Sequence, residues 1–192
     1  MVHVDSTGFH HRQRFEGLGH AHYLTFSCFQ NRRFLSSKRT LLWFVEALRA
    51  AREKNLFDLW AWVAMPEHAH VLVWPRPGVT VSRILSALKQ PVSKRALVYL
   101  RRGNSTGLRA LADVQPSGEV AYRFWQRGGG YDRNIFTAAE VREKIGYIHA
   151  NPVRRALVRH PSDWPWSSWP AWTKGTDEPV PVDRQSVPPL GR

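Results

Sequence analysis

Acidic residues are scarce in this 192-residue chain. Fifteen Asp and Glu stand against 28 Lys and Arg, a formal net charge of +13 with histidine neutral. So basic a surface suits a polyanionic partner, because every phosphate neutralised releases condensed counterions. Cysteine is nearly absent. The single thiol, Cys28, excludes an internal disulfide framework and suits a reducing cytoplasm; within its apolar run it reads as a small core residue and not as a nucleophile. No stretch approaches the roughly 20 apolar residues of a membrane helix. Residues 1–15, rich in His and Arg, show no apolar core of a secretory signal. A cytoplasmic protein without membrane contact is expected, and no internal repeat complicates the reading. Hydrophobic residues make up 43% of the chain, enough for a packed core and too many for a disordered chain.

Residues 21–29 are rich in aromatic and β-forming side chains and read as a strand ending in a polar turn at 30–33. Ser36 or Ser37 then caps a helix in which Leu41, Phe44, Val45 and Leu48 recur at helical spacing. Residues 59–64 read as a buried strand. Pro66 interrupts it, and a second strand over 68–74 follows at once, which implies an antiparallel hairpin. The stretch 81–100 reads as helical, with Pro91 expected to kink or end its first part. Residues 104–118 read as a loop, 122–126 as another strand, and 127–130 as a flexible turn. Thr137-Ala138-Ala139-Glu140 has the form of a capping box and begins a last helix. The order β-α-β-β-α-β-α suits an α+β fold, an antiparallel sheet with helices packed on one face. Residues 1–170 are read as the domain and 171–192 as a Pro-rich C-terminal tail without fixed structure.

The most informative stretch is Met65-Pro66-Glu67-His68-Ala69-His70-Val71-Leu72-Val73-Trp74. Residues i and i+2 of a strand share a face, so His68 and His70 project side by side while Ala69, Val71 and Val73 pack the other way. Two such imidazoles can present nitrogens to one divalent ion and leave positions open for substrate oxygens. Alone they divide evenly between a metal and a pair of hydrogen-bonded strand histidines, because two ligands make a poor site. The second stretch is Ile145-Gly146-Tyr147-Ile148-His149-Ala150-Asn151-Pro152-Val153. At about 100° per residue, Val141, Ile145 and Ile148 form an apolar stripe, with Tyr147 and Asn151 on the opposite side. A phenolic nucleophile with an amide-oxygen ligand one turn later suits metal-assisted phosphoryl transfer. Against this, most exposed tyrosines are idle, and Pro152 disfavours helical geometry at Asn151.

Three blocks in order, 62–73, Phe124-Trp125-Gln126-Arg127 through Tyr131-Asp132-Arg133, and 147–154, give the chain a family likeness, to which Asp163-Trp164-Pro165-Trp166-Ser167-Ser168 adds. The chain resembles the REP-associated tyrosine transposases, a branch of the single-tyrosine HUH transposases. That resemblance implies a ferredoxin-like fold with the histidine pair on a central strand and the tyrosine on a late helix. It implies Mg²⁺ or Mn²⁺ as cofactor, held by His68, His70 and Asn151, with Tyr147 as the nucleophile. The implied substrate is single-stranded DNA bearing hairpins, cleaved and rejoined through a covalent 5′-phosphotyrosine by a nucleoid-associated monomer or homodimer.

Arg83, Lys89, Lys94 and Arg95, with Arg127 and Arg133, are the candidates for tracking the DNA backbone. Trp125, Tyr131 or the C-terminal tryptophans are candidates for stacking on unpaired bases, at about 1–3 kcal/mol per base. Gly128 to Gly130 are either a plain turn or a place of close approach to DNA. Two other readings stand beside this one. A catalytically inactive single-stranded nucleic-acid-binding module explains the charge but leaves the histidines and Tyr147 unemployed. A nucleotide phosphoesterase of the histidine-triad type needs a further histidine where this chain has Leu72.

Overall fold

The computed structural model describes residues 19–103 and 105–189. In chain order the elements are β1 (Ala21–Ser27), α1 (Lys38–Glu53), β2 (Phe57–Ala64), β3 (His68–Pro75), α2 (Val81–Arg101), α3 (Ser105–Ala110), β4 (Ala112–Val114), β5 (Val120–Tyr122), β6 (Tyr131–Ile135), α4 (Ala138–Arg154) and α5 (Trp169–Thr173). The main sheet has the order β2-β3-β1-β6, and every pairing in it is antiparallel. The α+β class expected from the sequence holds.

The helices cover both faces of the sheet, not one. Leu24 and Phe26 of β1 and Ala69, Val71 and Val73 of β3 pack with α1 and α2. Ala21 and Tyr23 of β1 and Leu72 of β3 point the other way, toward Val141, Ile145 and Ile148 of α4. The reason is visible in β2, which is buried at all eight positions. A strand apolar on both sides needs a layer against each. A bulge between Leu59 and Ala61 shifts the β2–β3 register and turns both Trp60 and Ala61 toward α4.

The caps follow the sequence. Ser37 accepts from the Thr40 amide at the start of α1, and Thr137 with Glu140 forms the reciprocal capping box of α4. Pro91 does not end α2, which runs unbroken to Arg101. The proline lies exposed, and buried Ile84, Leu85 and Leu88 before it and Val92 and Ala96 after it hold the helix on α1. The expected loop over 104–118 contains α3 and β4, and β4 pairs with β5 as a separate ribbon. The fourth strand of the main sheet is β6, not 122–126. Phe124 and Trp125 are instead buried plugs, and Trp125 donates through its indole to the Lys89 carbonyl at 3.0 Å.

The expectation of an unstructured tail also fails over its described part. β2 is an edge strand, and the chain after α4 satisfies its outward groups. The Trp164 indole donates to the Ala64 carbonyl (3.0 Å), Ser168 bonds both the amide and the carbonyl of Trp62, and the Trp172 indole reaches the Trp60 carbonyl (2.8 Å). Asp183 continues the row, accepting from the Leu59 amide at 2.8 Å and pairing with Arg52 at 2.6 Å, while Val180 is fully buried. Trp and Pro are dense here because indole donors and fixed backbone serve an edge without forming another strand. Residues 1–18 and 190–192 lie outside the described residues.

Gly130 is more than a plain turn. Its φ is +72°, and a Cβ there would sit 2.1 Å from the Thr25 carbonyl oxygen and 3.1 Å from the Phe26 Cα, both backbone atoms. Only glycine lets the chain pass so close to β1 before β6 begins. Gly130→Ala should therefore lower unfolding stability by about 2 kcal/mol or more, read as a drop in urea midpoint; an unchanged midpoint would show that the strand junction gives way freely.

Candidate active site

The central strand β3 brings the two histidines to one point, and β1 holds them there. Thr25 lies opposite His70 in the β1–β3 register and Ser27 opposite His68. His68 Nε2 and His70 Nε2 are 2.9 Å apart. Behind them, His68 Nδ1 is 3.2 Å from Glu67 Oε1, which also accepts from Arg155 at 2.8 Å. A carboxylate only accepts, so Nδ1 of His68 carries the hydrogen and its Nε2 is a bare lone pair. His70 Nδ1 is 2.7 Å from the Tyr23 hydroxyl and 2.8 Å from Thr25 Oγ1.

Burial sets the charge of the pair. It pushes His70 down to about 3, with the neighbouring His68 adding to the effect. It also lowers His68, against the opposing pull of Glu67. Both rings are therefore neutral at pH 7, the form that ligates metals. The 2.9 Å spacing also fits. Two nitrogens each about 2.1 Å from one ion and at right angles stand ~3.0 Å apart. Among the described residues no cluster of three or more His, Cys, Asp or Glu is present. Asn151 lies beside the pair: it is buried and lines the same cleft as both histidines.

Tyr147 stands at this site and not on the far side of its helix. It is half-buried against the α4 face of the sheet, with its ring centroid 5.9 Å from that of His70 and 6.1 Å from that of Tyr23. α4 continues through Pro152 to Arg154, so the proline does not displace Asn151. Cations crowd the tyrosine. The Arg154 guanidinium lies 5.0 Å from its ring centroid and Lys144 Nζ 5.5 Å.

Tyr147 and His70 line two clefts. One, of about 940 Å³, also holds His68, Asn151, Arg33, Arg154 and Arg155. The other, of about 380 Å³, holds Tyr23, Tyr131, Arg133 and Lys144. Of the cations singled out in the sequence, only Arg133 lies here, and it pairs with Glu140 at 3.1 Å. Arg83 and Lys94 are exposed on α2, across the sheet from the histidines. Arg95 pairs with Glu46, Arg127 with Gln115 and Asp113, and Lys89 donates to the carbonyls of Gln126 and Gly128. Arg33, Lys144, Arg154 and Arg155 were missed. The signal was available for Arg154 and Arg155, which sit about two turns past Tyr147 at the end of its own helix.

Comparison with known proteins gives a family likeness and a matching fold. Residues 19–102 match the family model described as "Transposase IS200 like". The REP-associated tyrosine transposase of Escherichia coli (strain K12) is 28% identical over 123 residues, 64% of this chain and 61% of that protein. A solved structure of a REP-associated tyrosine transposase bound to a REP hairpin matches with a TM-score of 0.60 and 20% identity, over 83% of this chain and 81% of that one. The likeness to the REP-associated tyrosine transposases is shown. It extends to the fold, and the matched segment spans less than two thirds of the curated relative. Among the described residues, no helix is long and apolar enough to cross a membrane.

On the same helix, His149 is buried with its Nε2 2.8 Å from Ser168 Oγ, and burial pushes it from 6.5 down to about 4. Between those values the unfolded chain binds a proton that the folded chain refuses. Its contribution to stability is thus complete above pH 6.5 and is lost as the pH falls toward 4. His149→Gln should flatten that part of the stability-against-pH curve, measured by urea unfolding from pH 7.5 to 4; a curve parallel to the wild type would remove His149 as the cause.

Proposed function

We propose that this chain cleaves and rejoins single-stranded, hairpin-bearing DNA, with Tyr147 as nucleophile beside a Mg²⁺ or Mn²⁺ ion held by His68, His70 and Asn151. The observation that carries the reading is the convergence of two neutral imidazole nitrogens, 2.9 Å apart, against the ring of Tyr147. The transposase likeness supports a DNA-processing enzyme of this kind. A bound divalent ion supplies Lewis-acid polarisation of a nonbridging phosphate oxygen and neutralises charge there.

The chain's own residues do the rest. Arg33, Arg154 and Arg155 on one side of Tyr147, and Arg133 and Lys144 on the other, give a phosphate backbone a basic track through both clefts. A strand following that track places a phosphodiester at the tyrosine. Tyr147 loses its hydroxyl proton as its oxygen bonds to phosphorus; the bond from phosphorus to the 3′ oxygen breaks, and that oxygen takes up a proton. The product is a 5′-phosphotyrosine and a free 3′-hydroxyl. Phosphodiester energy is kept in the new ester, so a 3′-hydroxyl from another strand can reverse the step without a nucleotide cofactor.

The test is incubation with labelled single-stranded hairpin oligonucleotides and Mn²⁺, followed by denaturing electrophoresis. The wild type should give a protein–DNA band that EDTA prevents. Tyr147→Phe should bind the oligonucleotide within about twofold of wild type yet yield no band, and His68→Ala should reduce it by about 10²-fold or more. A band that persists in Tyr147→Phe would sink the assignment, and binding without any band in the wild type would favour a binding module.

A further inference from the structure

A pocket of about 300 Å³ lies where the turn before α1 meets α1, α2 and α3, and the chemistry proposed above makes no use of it. Four aromatic rings line it, those of Phe34, Trp43, Tyr99 and Phe124. The Phe34 and Phe124 ring centroids are 5.4 Å apart, and those of Trp43 and Tyr99 6.0 Å. Phe124 is buried, but Tyr99 is 43% exposed. A ring that served only as core would be covered; this one is left in solvent over an apolar hollow. Arg39 lies across it, its guanidinium 4.1 Å from the ring centroid.

Charge and position say what fits. Arg33 and Arg39 line the pocket, and among its described lining residues there is no carboxylate. An apolar slot framed by guanidinium groups suits a flat ring carried on a phosphate backbone. Such a ring stacks on aromatic faces or on a guanidinium plane, while the cations hold the phosphates. An apolar peptide would gain nothing from the arginines. The pocket also adjoins the cleft that holds the histidines, and the turn before α1 is the lip between them. Asn31 and Arg33 line the cleft with His68, His70 and Tyr147, whereas Arg33 and Phe34 line the pocket. Arg32 ties that turn to α3, donating to the Ala110 carbonyl at 2.6 Å. A strand whose phosphates pass the histidines can therefore turn over Arg33 and lay a base against the rings.

We infer that this pocket takes one unpaired nucleobase of the single strand whose phosphates occupy the histidine cleft. The inference rests on the reading above for the identity of the strand, and it gives that strand a second hold. Recognition there is by stacking. The Ser36, Ser37 and Thr40 hydroxyls in the lining are engaged with the backbone around the start of α1. A base is therefore needed in the pocket, but which base matters little.

Affinity for a labelled single-stranded hairpin oligonucleotide tests this, measured in EDTA so that no cleavage intervenes. Tyr99→Ala should weaken binding about 5- to 100-fold, and Tyr99→Phe, which keeps the ring, by less than about twofold. Tyr122→Ala, on β5 outside the pocket, should bind as the wild type does. Removing single bases along the unpaired part of the oligonucleotide should find one position where an abasic site costs the wild type a similar factor and costs Tyr99→Ala nothing further. Exchanging that base for another should change affinity less than about threefold. Wild-type affinity in Tyr99→Ala, an equal loss in Tyr99→Phe, or additive losses at every abasic position would overturn the inference. Photo-crosslinking of the wild type needs no variant to fold: 5-iododeoxyuridine at that position should join the DNA to Trp43 or Tyr99, and joining only elsewhere would contradict the pocket. Failure of the wild type to bind any such strand sinks this inference and the nickase reading together, whereas binding through Tyr99 without a Mn²⁺-dependent adduct sinks the nickase reading alone.

Discussion

The contact between His68 Nε2 and His70 Nε2 at 2.9 Å is the constraint around which the rest of the molecule is arranged. A β-strand places i and i+2 side chains on one face, but it does not turn their rings toward each other. That orientation comes from the partners behind each ring: Glu67 for His68, and the Tyr23 and Thr25 hydroxyls for His70. Those partners come from the loop before β3 and from β1, so the geometry depends on the β1–β3 pairing being in register. Gly130 matters for the same reason. The close pass it allows lies directly against Thr25, one of the residues that orients His70.

Burial works on the pair in a direction useful for ligation. Desolvation keeps both imidazoles neutral, and Arg155 offsets the carboxylate that orients His68. Further cations, Arg33, Lys144 and Arg154, line the clefts around Tyr147. The same sheet face is closed by α4, and its edge by the Trp-rich segment and the strap through Asp183. The tail is thus part of what keeps β2 from pairing with another chain. The edge segment is in turn tied to α4, since His149 of that helix bonds Ser168.

Much of this was legible in the sequence, for identifiable reasons. The histidine pair, its face and the burial of Val71 and Val73 follow from a period of two. The capping box at Thr137 fixed the phase of α4 and hence the proximity of Tyr147 to Asn151. What misled was the assumption that an apolar stripe alone faces the sheet. Tyr147 flanks that stripe and still reaches His70, because it projects into the space left where β1 and β3 carry polar side chains. The helices were assigned to one face although β2, apolar at successive positions, already required two. The tail was read by its proline content, while its indole donors and Asp183 serve as edge partners that composition does not reveal. Most cations were picked by clustering along α2, whereas those at the site come from the segment before α1, from β6 and from α4, which only the fold assembles. Tyr23 carried no sequence signal: an aromatic residue in a strand is ordinarily core, and its hydroxyl gained meaning only from the register with β3.

The most direct test of the central claim is anomalous diffraction from crystals soaked in Mn²⁺. One peak about 2.2 Å from both His68 Nε2 and His70 Nε2, with Asn151 adjacent, is the result this account requires. Strong peaks elsewhere with none between the two imidazoles would contradict it, leaving the pair a hydrogen-bonded feature of the strand and Tyr147 without its ion.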